Sequence, residues 1–347
     1  MPQSIDILSA LRAALLGALA LSAAALLAAC GGGPLLGEVT ASAAEYAPTV
    51  TDQPLSVSYS LGRDATVDIY VLDAAGQRYV LREGQPRPAS DEPYVLRFDG
   101  TVPTDDPQVL RRLLPPGSYQ LTVEARDAAG ASEQRSLDLT ITGAEQPALS
   151  IDNLVVSPET ISPNADAIAD VTEFTYRLPV SATVSIDVTA PGGDVIPVLT
   201  RAEQGPYEQS EVWNGKRPNG ALLASGVYTY TVRAEDALGN VVQRRGPLTL
   251  EDVGQPEARI VYANIAPQRV MLGELITVTL RVRNTGTVPI RTYGPASGYT
   301  YSTDEVFSSV EDGQYTAQAG GFWRIGLDWD ANSGGGPRRY PFRWALS

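Results

Sequence analysis

Apolar and polar side chains alternate with a period of two along much of the chain. Val57, Tyr59 and Leu61 share one face of the first such run, and Val67, Ile69 and Val71 share one face of the next. In an extended chain every second side chain points the same way, so each run predicts a half-buried antiparallel strand. Gly76, in Asp73-Ala74-Ala75-Gly76, marks the turn that follows. The pattern then repeats. A shift of 117 carries these positions onto Phe174, Tyr176, Leu178, Val184, Ile186, Val188 and Gly193. Ala-Thr-Val opens the second strand of both copies, at 65–67 and 182–184. Phe98-Asp99-Gly100 matches Trp213-Asn214-Gly215 at a shift of 115, and Leu113 to Tyr119 matches Leu222 to Tyr228 at 109. Tyr119, Leu121, Val123 and Ala125 then align with Tyr228, Tyr230, Val232 and Ala234, and Asp127-Ala128-Ala129-Gly130 with Asp236-Ala237-Leu238-Gly239. The fall from 115 to 109 means six extra residues in the first copy, around Thr101 to Val109. A surface loop accommodates such an insertion at least cost.

Short alternating strands separated by Gly, Pro and Asp turns predict an all-β chain of tandem immunoglobulin-like β-sandwiches, one over 49–145 and a second over 149–252. With one cysteine in the whole chain, no disulfide can join the sheets, so aromatic and β-branched packing must hold the cores. Trp213 is the expected centre of the second core and Phe98 of the first. A role for Trp213 as an exposed sugar platform is the rival reading, but a buried core Trp is several times commoner.

The second copy resembles the immunoglobulin-like repeat first recognised in the flagellar hook-capping protein. The resemblance rests on Ser162-Pro163-Asn164, Leu178-Pro179, Trp213-Asn214-Gly215, Ser225-Gly226-Val227-Tyr228 and Asp236-Ala237-Leu238-Gly239-Asn240. It covers Val156 to Leu250 well and Thr49 to Ile141 weakly. It implies this fold and a surface or export setting, and it does not imply flagellar assembly. In that family Ser-Pro-Asn is often followed by Gly-Asp-Gly and a further Asp, a run that resembles a calcium loop. Here Asn164, Asp166 and Asp170 supply oxygens at positions one, three and seven, while alanines replace both glycines. A structural calcium and a simple Asx-turn are the two readings of this loop. No other cofactor is expected.

Gln146-Pro147 and Gly254-Gln255-Pro256 mark linkers. Beyond the second, Ile276, Val278, Leu280 and Val282 alternate with Thr277, Thr279, Arg281 and Arg283, and Asn284-Thr285-Gly286 turns the chain. This strand and turn are similar to adhesion-type immunoglobulin-like modules of bacterial surface proteins, which predicts a third sandwich over 257–347. It ends abruptly, on a strand-like Tyr340 to Ala345, so the domain is either a reduced variant or part of a longer chain. Three of the four tryptophans lie in this segment, interleaved with tyrosines and arginines. Trp323, Trp329, Tyr299 and Tyr301 are candidates for a ligand platform that stacks on sugar faces. The competing reading, a core with amphipathic edges, is about twice as common.

The N-terminus adds a location. Residues 13 to 29 are an apolar Ala/Leu run preceded by Arg12, which suits a signal-peptide core better than a membrane span. It ends on Leu27-Ala28-Ala29-Cys30, which resembles the lipobox of bacterial lipoproteins. That resemblance implies removal of residues 1–29 and diacylglycerol on Cys30, with 30–48 as a flexible tether. The expected location is the cell envelope, on the extracytoplasmic side of a membrane. The formal charge of -14 disfavours nucleic acid as a partner. The absence of histidine removes the commonest general base and zinc ligand. No P-loop, G-x-G-x-x-G or G-x-S-x-G run is present. Asp328 and Asp330 are the nearest thing to a carboxylate pair, expected two apart on one strand face and too close to flank a substrate. The chain therefore reads as a non-catalytic stalk, adhesion or binding module. The alternative is a carbohydrate- or cell-wall-binding accessory protein. Glycan, cell wall or another protein are the expected ligands.

Overall fold

The period-two runs become strands of two sandwiches built on one plan. The computed structural model describes residues 33–51, 53–143, 147–271, 273–317 and 320–347. Leu27, Ala28, Ala29 and Cys30 lie outside the described residues. The chain divides into two compact units near residue 146.

The first unit holds β1 (Leu36–Ala41), β2 (Glu45–Tyr46), β3 (Leu55–Leu61), β4 (Ala65–Asp73), β5 (Arg78–Arg87), β6 (Ser90–Phe98), β7 (Thr101–Pro103), β8 (Val109–Leu113), β9 (Gly117–Arg126) and β10 (Ser132–Ile141). One sheet runs β1-β3-β6 and the facing sheet runs β2-β10-β9-β4-β5. Val57, Tyr59, Leu61, Val67, Ile69, Val71, Leu121 and Val123 are buried between them, on the faces that the alternation predicts.

In the second unit β11 (Asp152–Ser157), β12 (Thr160–Ile161), β13 (Thr172–Arg177), β14 (Ala182–Thr189), β15 (Val195–Gln204), β16 (Glu208–Trp213), β17 (Gly226–Glu235) and β18 (Val241–Leu250) repeat the arrangement. β11-β13-β16 form one sheet, and β12 pairs with β18, which continues through β17 and β14 to β15. Fold class and repeat are thus as the sequence predicts. The insertion is β7–β8. Thr101 pairs with Leu113, as Lys216 bridges Leu222 in the second module, and the added residues lengthen that hairpin.

The repeated motifs explain themselves by packing. Trp213 is buried, its indole N–H donating to the Lys216 carbonyl at 3.0 Å, and Phe98 is buried likewise. Gly100 and Gly215 follow them at φ +88° and +69°, and a Cβ there would lie 2.9 Å from Pro48 and 2.3 Å from Pro163. Glycine is required on both counts. The Gly-x-Tyr signals place Tyr119 and Tyr228 so that their hydroxyls donate to the carbonyls of Pro115 (2.8 Å) and Ala224 (2.7 Å). These are tyrosine corners.

The tether is shorter than the sequence suggests. Leu36–Ala41 pairs with β3, Glu45–Tyr46 pairs parallel to β10, and Leu35, Leu36, Val39 and Tyr46 are buried. Burial of such side chains contributes roughly 1.5–3 kcal/mol each. That holds the segment in the first module, which begins near Leu35 rather than at residue 49. The Ala/Ser-rich composition hides the strand, because a bulge between Leu36 and Val39 breaks its alternation.

Among the described residues, 257–347 form two short sheets rather than the expected third sandwich. β19 (Ala258–Ala266) and β20 (Thr277–Asn284) make a two-stranded sheet, and β21 (Ile325–Leu327) and β22 (Phe342–Trp344) a second, shorter one. A single helical turn, α1 (Asp330–Ser333), lies between β21 and β22. After Asn284-Thr285-Gly286 the sequence has Gly, Pro and aromatic residues but no second long period-two run, and among the described residues β19 and β20 pair with each other alone. Among the described residues no helix is long and apolar enough to cross a membrane.

Candidate functional site

The Asn164–Asp170 loop closes by folding its side chains back onto its own backbone. The two Asp170 oxygens accept the N–H groups of Asn164 (3.0 Å), Ala165 (2.7 Å) and Ala167 (2.7 Å). Asn164 Oδ1 accepts from Asp166 N and Asp166 Oδ1 from Ile168 N. Ala165, Ala167 and Ala169 have φ of +61°, +63° and +49°. The first two stand where the hook-cap-type repeat that this module resembles often has glycine, so the loop keeps the left-handed conformation without the residue that favours it. The cation beside it belongs to the protein. Arg291 donates to the Asp166 carbonyl, and its guanidinium lies 3.9 Å from the Asp166 carboxylate. Gly321 approaches so closely that a Cβ would sit 2.0 Å from the same carbonyl oxygen. Hard cations need six to eight oxygens. Among the described residues no three acidic, His or Cys side chains converge to supply them. The loop's oxygens thus meet its own amides, and Arg291 ties Asp166 to the C-terminal segment.

The candidate platform residues fall into three places. Tyr299 and Tyr301 belong to a packed aromatic cluster. The Tyr301 ring lies 5.1 Å from Tyr299, 5.0 Å from Phe342 and 5.1 Å from Trp344. Their hydroxyls are taken, Tyr301 donating to the Arg343 carbonyl at 2.6 Å and Tyr299 to Glu305 at 3.0 Å. Burial pushes both phenols above their ordinary pKa, and in Tyr299 the Glu305 carboxylate adds to the effect. Phe307, Tyr315, Tyr293 and Phe322 extend the cluster, and guanidinium groups of Arg291, Arg324 and Arg343 lie over its rings. These two tyrosines are half-buried within that cluster.

Trp329 stacks on Phe342 at 5.9 Å with an interplanar angle of 21°, and keeps 47% of its surface exposed. Beside it the Asp328 carboxylate acts as a structural acceptor. Desolvation would raise its pKa, but Ser333, Asn332 and the N–H groups of Arg339 and Trp329 outweigh that and hold it well below the carboxylate range. Asp330 opens α1 and pairs with Arg338 at 2.8 Å. The two aspartates therefore do not share a strand face.

Trp323 lies apart from these. It borders a polar groove of about 620 Å³ with Gln255, Glu257, Arg259 and Thr285. Its backbone is fixed on both sides, N–H to Arg291 O at 2.8 Å and carbonyl from Thr292 Oγ1 at 2.9 Å. Its ring, 37% exposed, stacks on no other aromatic among the described residues. Sequence spacing does not show this grouping, because the groove joins the linker and the start of β19 to a residue more than sixty positions later.

No protein-family model matches the chain, and no curated protein matches it. Solved structures do. The chain is similar to latent PorU from Porphyromonas gingivalis, at 12% identity over 62% of this chain and 20% of that one, TM-score 0.23. It is similar to a tetra-tandem repeat in the extending region of a large adhesion protein, at 16% identity over 70% and 62%, TM-score 0.21. A two-domain fibronectin type III segment of chicken tenascin matches at 11% identity over 62% and 98%, TM-score 0.20. The chain spans a fifth of the PorU chain and under two thirds of the repeat protein. The immunoglobulin-like architecture stands on the strand order and register of this chain, and the hook-cap resemblance on the residues quoted for it.

Proposed function

We propose that this chain is a lipid-anchored, extracytoplasmic protein of the cell envelope, a structural stalk or adhesion module that performs no catalysis. The observation that carries the reading is the use of its acidic side chains. Asp73, Asp99, Glu133, Glu305 and Asp328 all have pKa values lowered by hydrogen bonds from nearby amides, hydroxyls or arginine. General acids need the opposite shift; burial gives it to Asp187, which lies within β14 opposite Pro197 and Thr231. The lowered carboxylates hold turns and strand ends, as a load-carrying scaffold requires. Its partners are a membrane, through diacylglycerol on Cys30 after Leu27-Ala28-Ala29, and a ligand outside the cell. Nucleic acid is not among them.

The anchor is tested by Cys30→Ser in cells supplied with labelled fatty acid. The variant is expected to lose label and leave the membrane fraction. A variant that stays in the membrane and still takes up label would refute the anchor. A second reading, binding of carbohydrate or cell wall, is supported by the exposed indoles of Trp323 and Trp329. Pull-down on polysaccharide with Trp323→Ala and Trp329→Ala tests it, and undiminished retention of both variants would move the ligand elsewhere.

A further inference from the structure

We infer that the polar face of the β19–β20 sheet, together with the Trp323 groove, binds an anionic polysaccharide. This rests on the surface-protein reading above and names the class of ligand. Register decides which side chains share that face. Arg259 lies opposite Arg283 and Tyr262 opposite Arg281. Directly opposed residues point to the same side of a sheet, with Cβ atoms about 4.5–5.5 Å apart. Three guanidinium groups and a half-exposed tyrosine therefore crowd one face, while Ile260, Ala263, Ile265, Val278 and Leu280 occupy the other.

None of Arg259, Arg281 and Arg283 forms an ion pair among the described residues, although Asp and Glu outnumber Lys and Arg by 40 to 26 in the chain. Opposed like charges destabilise a strand pair. An uncompensated cluster on so acidic a protein is explained by a ligand that supplies the missing anions. Arginine pairs two N–H groups with two oxygens of a carboxylate or a sulfate.

Two features favour a sugar chain over a lone small anion. The face is open and extended, eight residues of β20 covering roughly 26 Å at about 3.3 Å each. Arg259 is also a wall of the Trp323 groove, so one arginine lies between the basic strip and an unstacked indole. Aromatic faces stack on the apolar faces of pyranose rings, as they do on other flat apolar surfaces. The Asn284-Thr285-Gly286 turn ties strip to groove. Thr285 N donates to Glu257 O at 2.9 Å, and a Cβ on Gly286 would lie 2.3 Å from Gln255 O.

The test is retardation of the full chain in native gels containing polygalacturonate, dextran sulfate or neutral dextran, with phosphatidylglycerol vesicles as a fourth probe. Polygalacturonate or dextran sulfate is expected to retard the protein, added salt to weaken this, and neutral dextran to do nothing. The R281S/R283S variant is expected to bind about tenfold or more weakly, and Trp323→Ala several-fold more weakly. The R281K/R283K variant keeps the charge and is expected to fall between wild type and R281S/R283S. Denaturation midpoints check folding, and removing opposed charges is expected not to lower them. Binding of neutral dextran equal to the anionic polymers would overturn the inference. So would undiminished binding by R281S/R283S, or vesicle binding stronger than polymer binding and indifferent to Trp323→Ala. The Cys30-dependent location is read independently, so the anchor can stand if the polysaccharide site fails.

Discussion

Replacing Ala165 and Ala167 by glycine is expected to stabilise the second module. Both alanines sit at positive φ, +61° and +63°. A left-handed backbone costs an L-residue with a Cβ roughly 1–2 kcal/mol. Glycine removes that cost but loses about 0.5–1 kcal/mol more chain entropy on folding. The net gain is roughly 0.5–1 kcal/mol per site, or at most about 2 kcal/mol for A165G/A167G, since both amides bond to Asp170 and the sites are coupled. For a unit of about two hundred residues this raises the melting midpoint by roughly 2–8 °C. Thermal unfolding followed by circular dichroism measures it. A lower midpoint in the double variant would refute the left-handed geometry, because glycine can destabilise only where φ is already comfortable for alanine. The same scans in chelator and in calcium test the loop's chemistry. Wild type is expected to melt at one temperature in both, since Arg291 and backbone amides already serve its oxygens. A calcium-dependent rise, lost in Asp170→Asn, would show that the loop takes the ion.

Other outcomes follow from single contacts. Tyr119→Phe and Tyr228→Phe remove the corner hydroxyls, and each is expected to cost about 1 kcal/mol in urea denaturation. Trp213→Ala is expected to cost about 3–5 kcal/mol, and Trp213→Phe much less, as Phe98 fills the same place in the first module. Glu133 accepts the amides of Leu35 and Leu36 at 3.1 and 3.2 Å, which lowers its pKa. A lowered carboxylate stabilises above its unfolded pKa, so protection of those two amides from hydrogen exchange is expected to persist above about pH 4.5 and to fade below it. Glu133→Gln is expected to weaken it above that pH and to remove the pH dependence. Burial raises the Tyr176 pKa to about 12, outweighing its hydrogen bond to Gln204 at 2.7 Å. A raised phenol stabilises below its unfolded pKa near 10, so that contribution is expected to be complete there and lost as pH rises through about 12. Ultraviolet titration of wild type against Tyr176→Phe shows whether the late-titrating phenol is this one.

The repeated modules were legible because burial imposes period two on every strand between two sheets. Val57, Tyr59 and Leu61, and their counterparts Phe174, Tyr176 and Leu178, could not face the core in another register without turning their polar neighbours inward. The insertion was legible for a related reason: the shift between copies changes only where the chain leaves the sheets. What escaped was the first strand. Its pairing is bulged and split between two sheets, so Val39 and Tyr46 lie buried without alternating signals around them. The Asn164–Asp170 loop was half legible. Its residue types suit a cation, but whether an oxygen faces an ion or an amide depends on backbone direction, which side-chain spacing does not encode.

The C-terminal segment shows that limit most sharply, in its arginines. Along the sequence they interleave with aromatics and look alike, yet they serve two different purposes. Arg291, Arg324 and Arg343 lie over the rings of Phe307 and Phe322, where they fill the cluster's edges. Burial, with the neighbouring Arg343 charge, even lowers the Arg324 pKa from its ordinary value. Arg259, Arg281 and Arg283 stand on an open face with opposed charges and no acidic partner among the described residues. The first set is already compensated by the fold. The second is not, and an isolated sheet of two strands has too few packed side chains to offset much repulsion. The exposed set is therefore where a partner gains most by binding, and where substitution changes binding without harming the fold.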